Sequence, residues 1–186
     1  MPAAAPKAAA RPAKAAGAKP TAGGAGGASA LGGPGRGVTF AAGGGGRADA
    51  LRFWTDGACS GNPGPAGSGV FAELGGTTWE LSEYLGHTTN NVAELTAILR
   101  ALERVEDPTR PVDILSDSEY GLKVAAKIYK AKKNLDLVEG IWSQLGRFKD
   151  LRLVKVPAHV GIPGNERADE LARLAITNRA TASVER

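Results

Sequence analysis

The chain predicts an α/β fold: a mixed sheet with helices on its faces. Three observations carry this. Three strand-like runs come first at short spacing, helical and strand periodicities then alternate, and 49 residues with almost nothing to bury precede them all. Antiparallel neighbours need only tight turns, whereas parallel strands need a crossover that is usually a helix, so this order predicts both pairings in one sheet. No internal repeat is visible.

Residues 1–49 are Ala, Gly and Pro with scattered Lys and Arg, and their only large apolar residues after Met1 are Leu31, Val38 and Phe40. Ordering a residue costs roughly 1–2 kcal/mol of backbone entropy, and this segment buries little in return. It is expected to be a disordered basic tail. Residues 50–178 are expected to form a single domain, with a polar end at 179–186. Six of the 23 Lys and Arg and one of the 19 Asp and Glu fall in the tail, which leaves 17 basic and 18 acidic residues elsewhere. The net charge of +4 is therefore a property of the tail. Such a tail would tether the domain non-specifically to polyanions such as nucleic acid, or simply keep it soluble. One cysteine, Cys59, excludes an intramolecular disulfide or a Cys-rich metal site. No apolar run approaches the ~20 residues of a membrane helix, and the start of the chain lacks the apolar core of a secretory signal. A cytoplasmic monomer is expected. An organellar transit peptide is the alternative for the Ala-rich, acid-poor start.

Residues 51–55 read as the first strand. Residues 70–74 and 77–84 come next, split by Gly75-Gly76, and suit a hairpin, which makes a three-stranded antiparallel meander. A helix begins at Asn91, since Val92, Leu95, Ile98, Leu99, Leu102 and Val105 recur at helical spacing before Pro108. Residues 111–115 form a short buried strand, and Ser116-Asp117-Ser118 turns it into a helix from Glu119. A helix over 135–147, a strand over 151–156 and a helix over 165–177 complete the order.

Four acids stand at the start or edge of these elements: Asp56, Glu94, Asp117 and Asp169. Each has a local explanation. Asp56-Gly57 is a hairpin signal, but the next residues, with Gly61, Pro63 and Gly64 among them, have the chemistry of a loop rather than of a second strand. Glu94 lies three residues after Asn91, as in a capping box. Asp117 could cap its helix, with Ser116 and Glu119 as a rival cap. Asp169 could pair with Arg173 at i, i+4. Against these stands the joint pattern. Asp117 lies just past the carboxyl end of a strand, where open α/β sheets bind ligands, and Glu94 sits at the margin of its helix's apolar stripe. Four converging carboxylates predict a divalent metal site. Hard oxygen donors without a His/Cys cluster suit Mg²⁺ or Mn²⁺ rather than Zn²⁺.

In these motifs the chain resembles the type 1 ribonuclease H family. Thr55-Asp56-Gly57-Ala58-Cys59-Ser60-Gly61-Asn62-Pro63-Gly64 is similar to its first-strand motif, and Thr88-Thr89-Asn90-Asn91-Val92-Ala93-Glu94-Leu95 to its first helix entry. Leu115-Ser116-Asp117-Ser118 matches its third acid. His159, with Asn165-Glu166-Arg167-Ala168-Asp169-Glu170-Leu171-Ala172, matches its last. Four motifs in order span nearly all of residues 50–177, and the tail has no part in them.

The resemblance implies a ribonuclease H-like fold with a five-stranded sheet whose first three strands are antiparallel. It implies an endonuclease that hydrolyses the RNA strand of RNA–DNA hybrids, using Mg²⁺ with Mn²⁺ as a substitute. Asp56, Glu94, Asp117 and Asp169 carry over as catalytic metal ligands. His159 carries over as a loop histidine that aids proton transfer or product release. Asn62, Thr89, Asn90 and Asn91 carry over as hybrid contacts, although Asn91 could equally cap its helix. His87 reads as structural. Two departures stand out. Glu119 occupies a position where many members have a neutral amide, so it is not assigned to substrate. The long basic protrusion of the best-known bacterial members is missing, and Lys123, Lys127, Lys130, Lys132 and Lys133 either replace part of its grip or form a solvated face. Two alternatives to the hybrid nuclease remain: a non-catalytic hybrid-binding module, and a related nuclease with another nucleic-acid substrate.

Overall fold

The computed structural model describes residues 37–43, 45–158 and 160–186. Eleven elements run in the order β1 (Val38–Ala42), β2 (Leu51–Cys59), β3 (Gly64–Glu73), β4 (Thr78–Thr88), α1 (Asn90–Arg104), β5 (Val112–Ser116), α2 (Glu119–Ala125), α3 (Leu135–Leu145), β6 (Leu151–Lys155), α4 (Pro163–Asn178) and β7 (Ala182–Glu185). They build one sheet in the order β1-β6-β5-β2-β3-β4-β7. β2, β3 and β4 form the antiparallel meander, β5 runs parallel to β2, and β6 parallel to β5.

Side chains alternate across the sheet, as the pleat requires. Phe53, Ile114, Leu151 and Leu153 join the larger core beneath α1, α2 and α3. Trp54, Leu115, Val154 and Val156 face the other way and pack against Ala168 of α4. The result is a three-layer α/β/α arrangement. Among the described residues, no helix is long and apolar enough to cross a membrane.

The sheet has seven strands rather than the expected five, because both termini add an edge. β1 lies inside the segment expected to be a disordered tail. Its Val38 is buried, Phe40 packs on the larger core, and its backbone pairs in parallel with β6, Val38 opposite Leu151. The unpaired N–H and C=O groups of a central parallel strand are what it satisfies. β7 arises in the expected polar end. All four of its residues are exposed, so backbone pairing to β4 and the Arg104–Glu185 ion pair hold it rather than burial. Residues 1–36 lie outside the described residues.

The Gly- and Pro-rich stretch read as loop is mostly strand. β2 continues past the expected end at residue 55 to Cys59, and β3 begins at Gly64 rather than at 70, so that Asp56 sits within a strand opposite Gly69. Glycine is a poor strand former, but here close packing of helix backbone requires it. A Cβ on Gly57 would lie 2.3 Å from the Glu94 nitrogen and 2.6 Å from the Ala93 carbonyl carbon. One on Gly69 would lie 2.0 Å from the Ala168 carbonyl oxygen. These glycines let α1 and α4 rest directly on the sheet. Gly57→Ala is expected to destabilise the fold by about 1–3 kcal/mol in urea titration, the usual range for an overpacked core. An unchanged midpoint would show that α1 is not seated there.

The caps also differ from expectation. α1 starts one residue earlier, with Thr89 as its N-cap accepting from the Val92 N–H at 3.4 Å. Neither Asn91 nor Glu94 therefore caps the helix. α2 is capped by Ser118, whose hydroxyl accepts from the Gly121 N–H at 3.0 Å, rather than by Asp117 or Ser116.

Candidate active site

With the capping explanations removed, Glu94 and Asp117 need another account, and their position supplies one. Asp56 from β2, Glu94 from α1, Asp117 from the turn after β5 and Asp169 from α4 line one cavity of about 560 Å³. Four elements distant in sequence each contribute one carboxylate.

The electrostatics reflect this crowding. Burial pushes the Asp56 carboxyl up to about 7, and the charges of Asp117 and Glu94 add to the rise. The Gly57 N–H, 2.8 Å from Oδ1, and the nearby Arg173 oppose it. Glu94 is also raised, first by burial and further by Asp117, against hydrogen bonds from Ser118 and Asn90. Carboxylates brought together out of water disfavour their own ionisation.

Each acid has taken a protein partner. Glu94 accepts from Ser118 Oγ at 2.5 Å and from Asn90 Nδ2 at 2.9 Å. Asp117 accepts from Asn165 Nδ2 at 3.1 Å. Asp169 is ion-paired with Arg173. Among the described residues, no three His, Cys, Asp or Glu side chains stand together as a ready-made metal site. The donor set nevertheless fits a hard divalent cation. It is all oxygen, and burial, with the neighbouring carboxylates adding to it, disfavours ionisation of Asp56 and Glu94, a cost that a bound dication would offset.

Asn165 and Ser118 are contributors that sequence reasoning missed. Asn165 is 4 % exposed, and its Oδ1 has no hydrogen-bond partner. A buried amide with one arm on Asp117 holds that carboxylate in place. The available signal was its spacing, one helical turn before Asp169.

The expected hybrid contacts divide between two cavities. Asn90 lines the acidic one. Asn62, Thr89 and Asn91 line a neighbouring cavity of about 360 Å³ with Tyr120, Lys130, Lys132, Lys133 and Asn134. The two are linked by the Asn90 N–H, which donates to Asn62 Oδ1 at 3.3 Å. Of the five lysines between β5 and α3, Lys123 pairs with Glu119, and Lys127 lies over the Trp142 ring at 4.7 Å. Only Lys130, Lys132 and Lys133 face this cavity. His159 lies outside the described residues. His87 is exposed on β4.

Comparison with known proteins agrees with this geometry. The RNase H family model matches residues 48–177, which leaves β1 and β7 outside the matched span. A ribonuclease H of Chlorobium phaeovibrioides is 40% identical over 145 residues, covering 69% of this chain and 97% of that protein. One from Maricaulis maris is 42% identical over 138 residues, covering 66% and 91%. Among solved structures, LC11-RNase H1 in complex with an RNA/DNA hybrid is 35% identical, with a TM-score of 0.61 over 69% of this chain and 98% of that one. The N-terminal RNase H domain of Rv2228c from Mycobacterium tuberculosis gives 28% identity and a TM-score of 0.61, covering 68% and 98%. Since the matched span takes in the five strands β2 to β6, the four helices but for the last residue of α4, and every carboxylate of the cavity, the chain belongs to the RNase H family.

Proposed function

We propose that this protein is an endoribonuclease that hydrolyses the RNA strand of RNA–DNA hybrids by two-metal-ion catalysis. The observation that carries the proposal is the single cavity lined by Asp56, Glu94, Asp117 and Asp169. These four would hold Mg²⁺, or Mn²⁺ in its place, and a bound pair of such ions supplies Lewis-acid stabilisation of charge on the attacking and leaving oxygens.

The chain's own groups do the rest. Ser118 and Asn90 orient Glu94, and Asn165 orients Asp117, so the carboxylates present their oxygens to the cavity. Asn62, Thr89, Asn90 and Asn91 offer amide and hydroxyl groups to the hybrid. A contact to a 2′-hydroxyl is what separates RNA from DNA. His159 is assigned, on the resemblance, to proton transfer or product release. The protein acts as a cytoplasmic monomer, and the cations of residues 1–36 give it a non-specific hold on nucleic acid. Arg47 does not share that role, being bound to Asp113 and Asp150.

The deciding experiment is incubation with labelled hybrid, duplex RNA and duplex DNA in Mg²⁺, and then in EDTA. Cleavage confined to the RNA strand of the hybrid, and abolished by EDTA, is expected. Binding without cleavage would make the protein a hybrid-binding module, and cleavage of another duplex would reassign its substrate. The gathering of four acids in one cavity favours a catalyst over a binder, because mutually repelling acids have no use in a site that only grips.

Lys130, Lys132 and Lys133 are expected to grip the hybrid backbone. Each phosphate contact contributes close to one unit to the slope of log affinity against log salt. Their joint replacement by Ala should flatten that slope by roughly 1–3 units. A variant that keeps the full slope would place the grip elsewhere.

A further inference from the structure

Among the described residues lining the acidic cavity, one is a cation: Arg173, a helical turn beyond Asp169. Its salt-bridge partner is Asp169, and its field also reaches Asp56. Three other arginines of the domain behave differently. Arg100, Arg104 and Arg167 each bridge two carboxylates, and none of those carboxylates belongs to the cavity. Arg173 is also loosely held, with its side chain 66 % exposed against 22 % for Asp169. An exposed i, i+4 pair stabilises a helix only slightly. A role in holding the fold therefore explains little about why this cation points at the acids.

We propose that Arg173 is the built-in counter-ion of the acidic cavity: it occupies Asp169 in the metal-free protein and must be displaced before a divalent cation can take that carboxylate. Arg173 would thereby set the cation concentration at which the site fills. This inference rests on the reading of the four acids as metal ligands. It makes Arg173 a positioning residue that acts through Asp169. Two consequences are separable. While the cavity is empty, the guanidinium offsets carboxylate repulsion. When a dication enters, the same positive charge competes for Asp169 and repels the newcomer. A residue with only a structural role would help both states alike.

The test uses the full chain, without nucleic acid. Mn²⁺ binding is measured by calorimetry for the parent, Arg173→Ala and Arg173→Lys, and melting is followed in EDTA and in saturating Mn²⁺. Arg173→Ala is expected to bind Mn²⁺ about three- to tenfold more tightly, as removal of one nearby, partly solvated charge allows. Arg173→Lys should stay near the parent, and the difference should shrink at high salt. Arg173→Ala should melt about 1–2 °C lower in EDTA, while Mn²⁺ raises its melting point more than it raises that of the parent. In an Asp169→Asn background the substitution should lose most of its effect on binding. Unchanged or weaker Mn²⁺ binding by Arg173→Ala, with normal binding by the parent, would overturn the role of Arg173 alone. If the parent itself takes up no Mn²⁺, the metal-ligand reading of the acids falls, and this inference with it.

Discussion

Asp56→Asn is expected to abolish turnover while leaving the metal-free protein at least as stable as the parent. Loss of a central carboxylate from the proposed metal site should lower the rate on the order of 10³-fold or more, equivalent to about 4 kcal/mol of barrier. The stability half of the prediction comes from the same crowding. The carboxyl is pushed from 3.8 to about 7 by burial and then by Asp117 and Glu94. Between those two values the folded protein holds a proton that the unfolded chain has released. Stability therefore falls as pH rises through this window, by on the order of 4 kcal/mol at most. Asparagine removes the charge but keeps an oxygen to accept the Gly57 N–H. In urea titrations with EDTA, the parent should lose stability between about pH 4 and pH 7, and the variant should lose less. A large loss of stability in Asp56→Asn would make this residue a structural one.

Asp113→Ala should cost about 3–5 kcal/mol and spare the chemistry. The Asp113 side chain is fully buried in β5, and in register across the sheet it stands between Arg52 of β2 and Arg152 of β6. It accepts from Arg152 Nε and Nη2 at 2.9 and 2.6 Å, and from the Arg47 backbone N–H and Nε at 2.6 and 3.0 Å. Burial alone would raise its carboxyl, but Arg152 and Arg47 together outweigh that and hold it below the usual range. Arg47 also spans to Asp150 and to the Val112 carbonyl, which ties the segment after β1 to the sheet. Deleting the acid strands the Arg152 guanidinium and the Arg47 N–H and leaves Arg47 Nε without its acceptor, and breaking a buried pair from one side carries the stated penalty. Asp113→Asn should lose less, since an acceptor remains. Cleavage of the chain between β1 and β2 by added protease should accelerate in the Ala variant. A stability loss below about 1 kcal/mol would show that the network is replaceable by water. The acidic cavity lies towards the other end of β2 and β5, so cleavage of hybrid per folded molecule should be unchanged.

These two acids illustrate what local pattern carries and what it does not. Asp56 stood out because an apolar run ends beside it and Gly and Pro come after. Asp113 sat unremarked inside a short buried strand, since nothing adjacent announces that Arg47 and Arg152 meet it. The same holds at the caps. Asn91 with Glu94 had the spacing of a capping box, yet Thr89 closes α1 and frees Glu94 to meet Ser118, 24 residues away.

Amino-acid order by itself determined the alternation of buried and exposed positions, the succession of strands and helices, and the four acids with their motifs. Each is written in spacings of two to four residues along one element. Only the tertiary structure decided that Val38–Ala42 and Ala182–Glu185 extend the sheet, that Gly57 and Gly69 are strand because helices rest on them, and that Asp56, Glu94, Asp117 and Asp169 line one cavity. The reason is physical: a strand edge, a backbone contact or a shared cavity takes its meaning from partners far along the chain, which no local periodicity encodes.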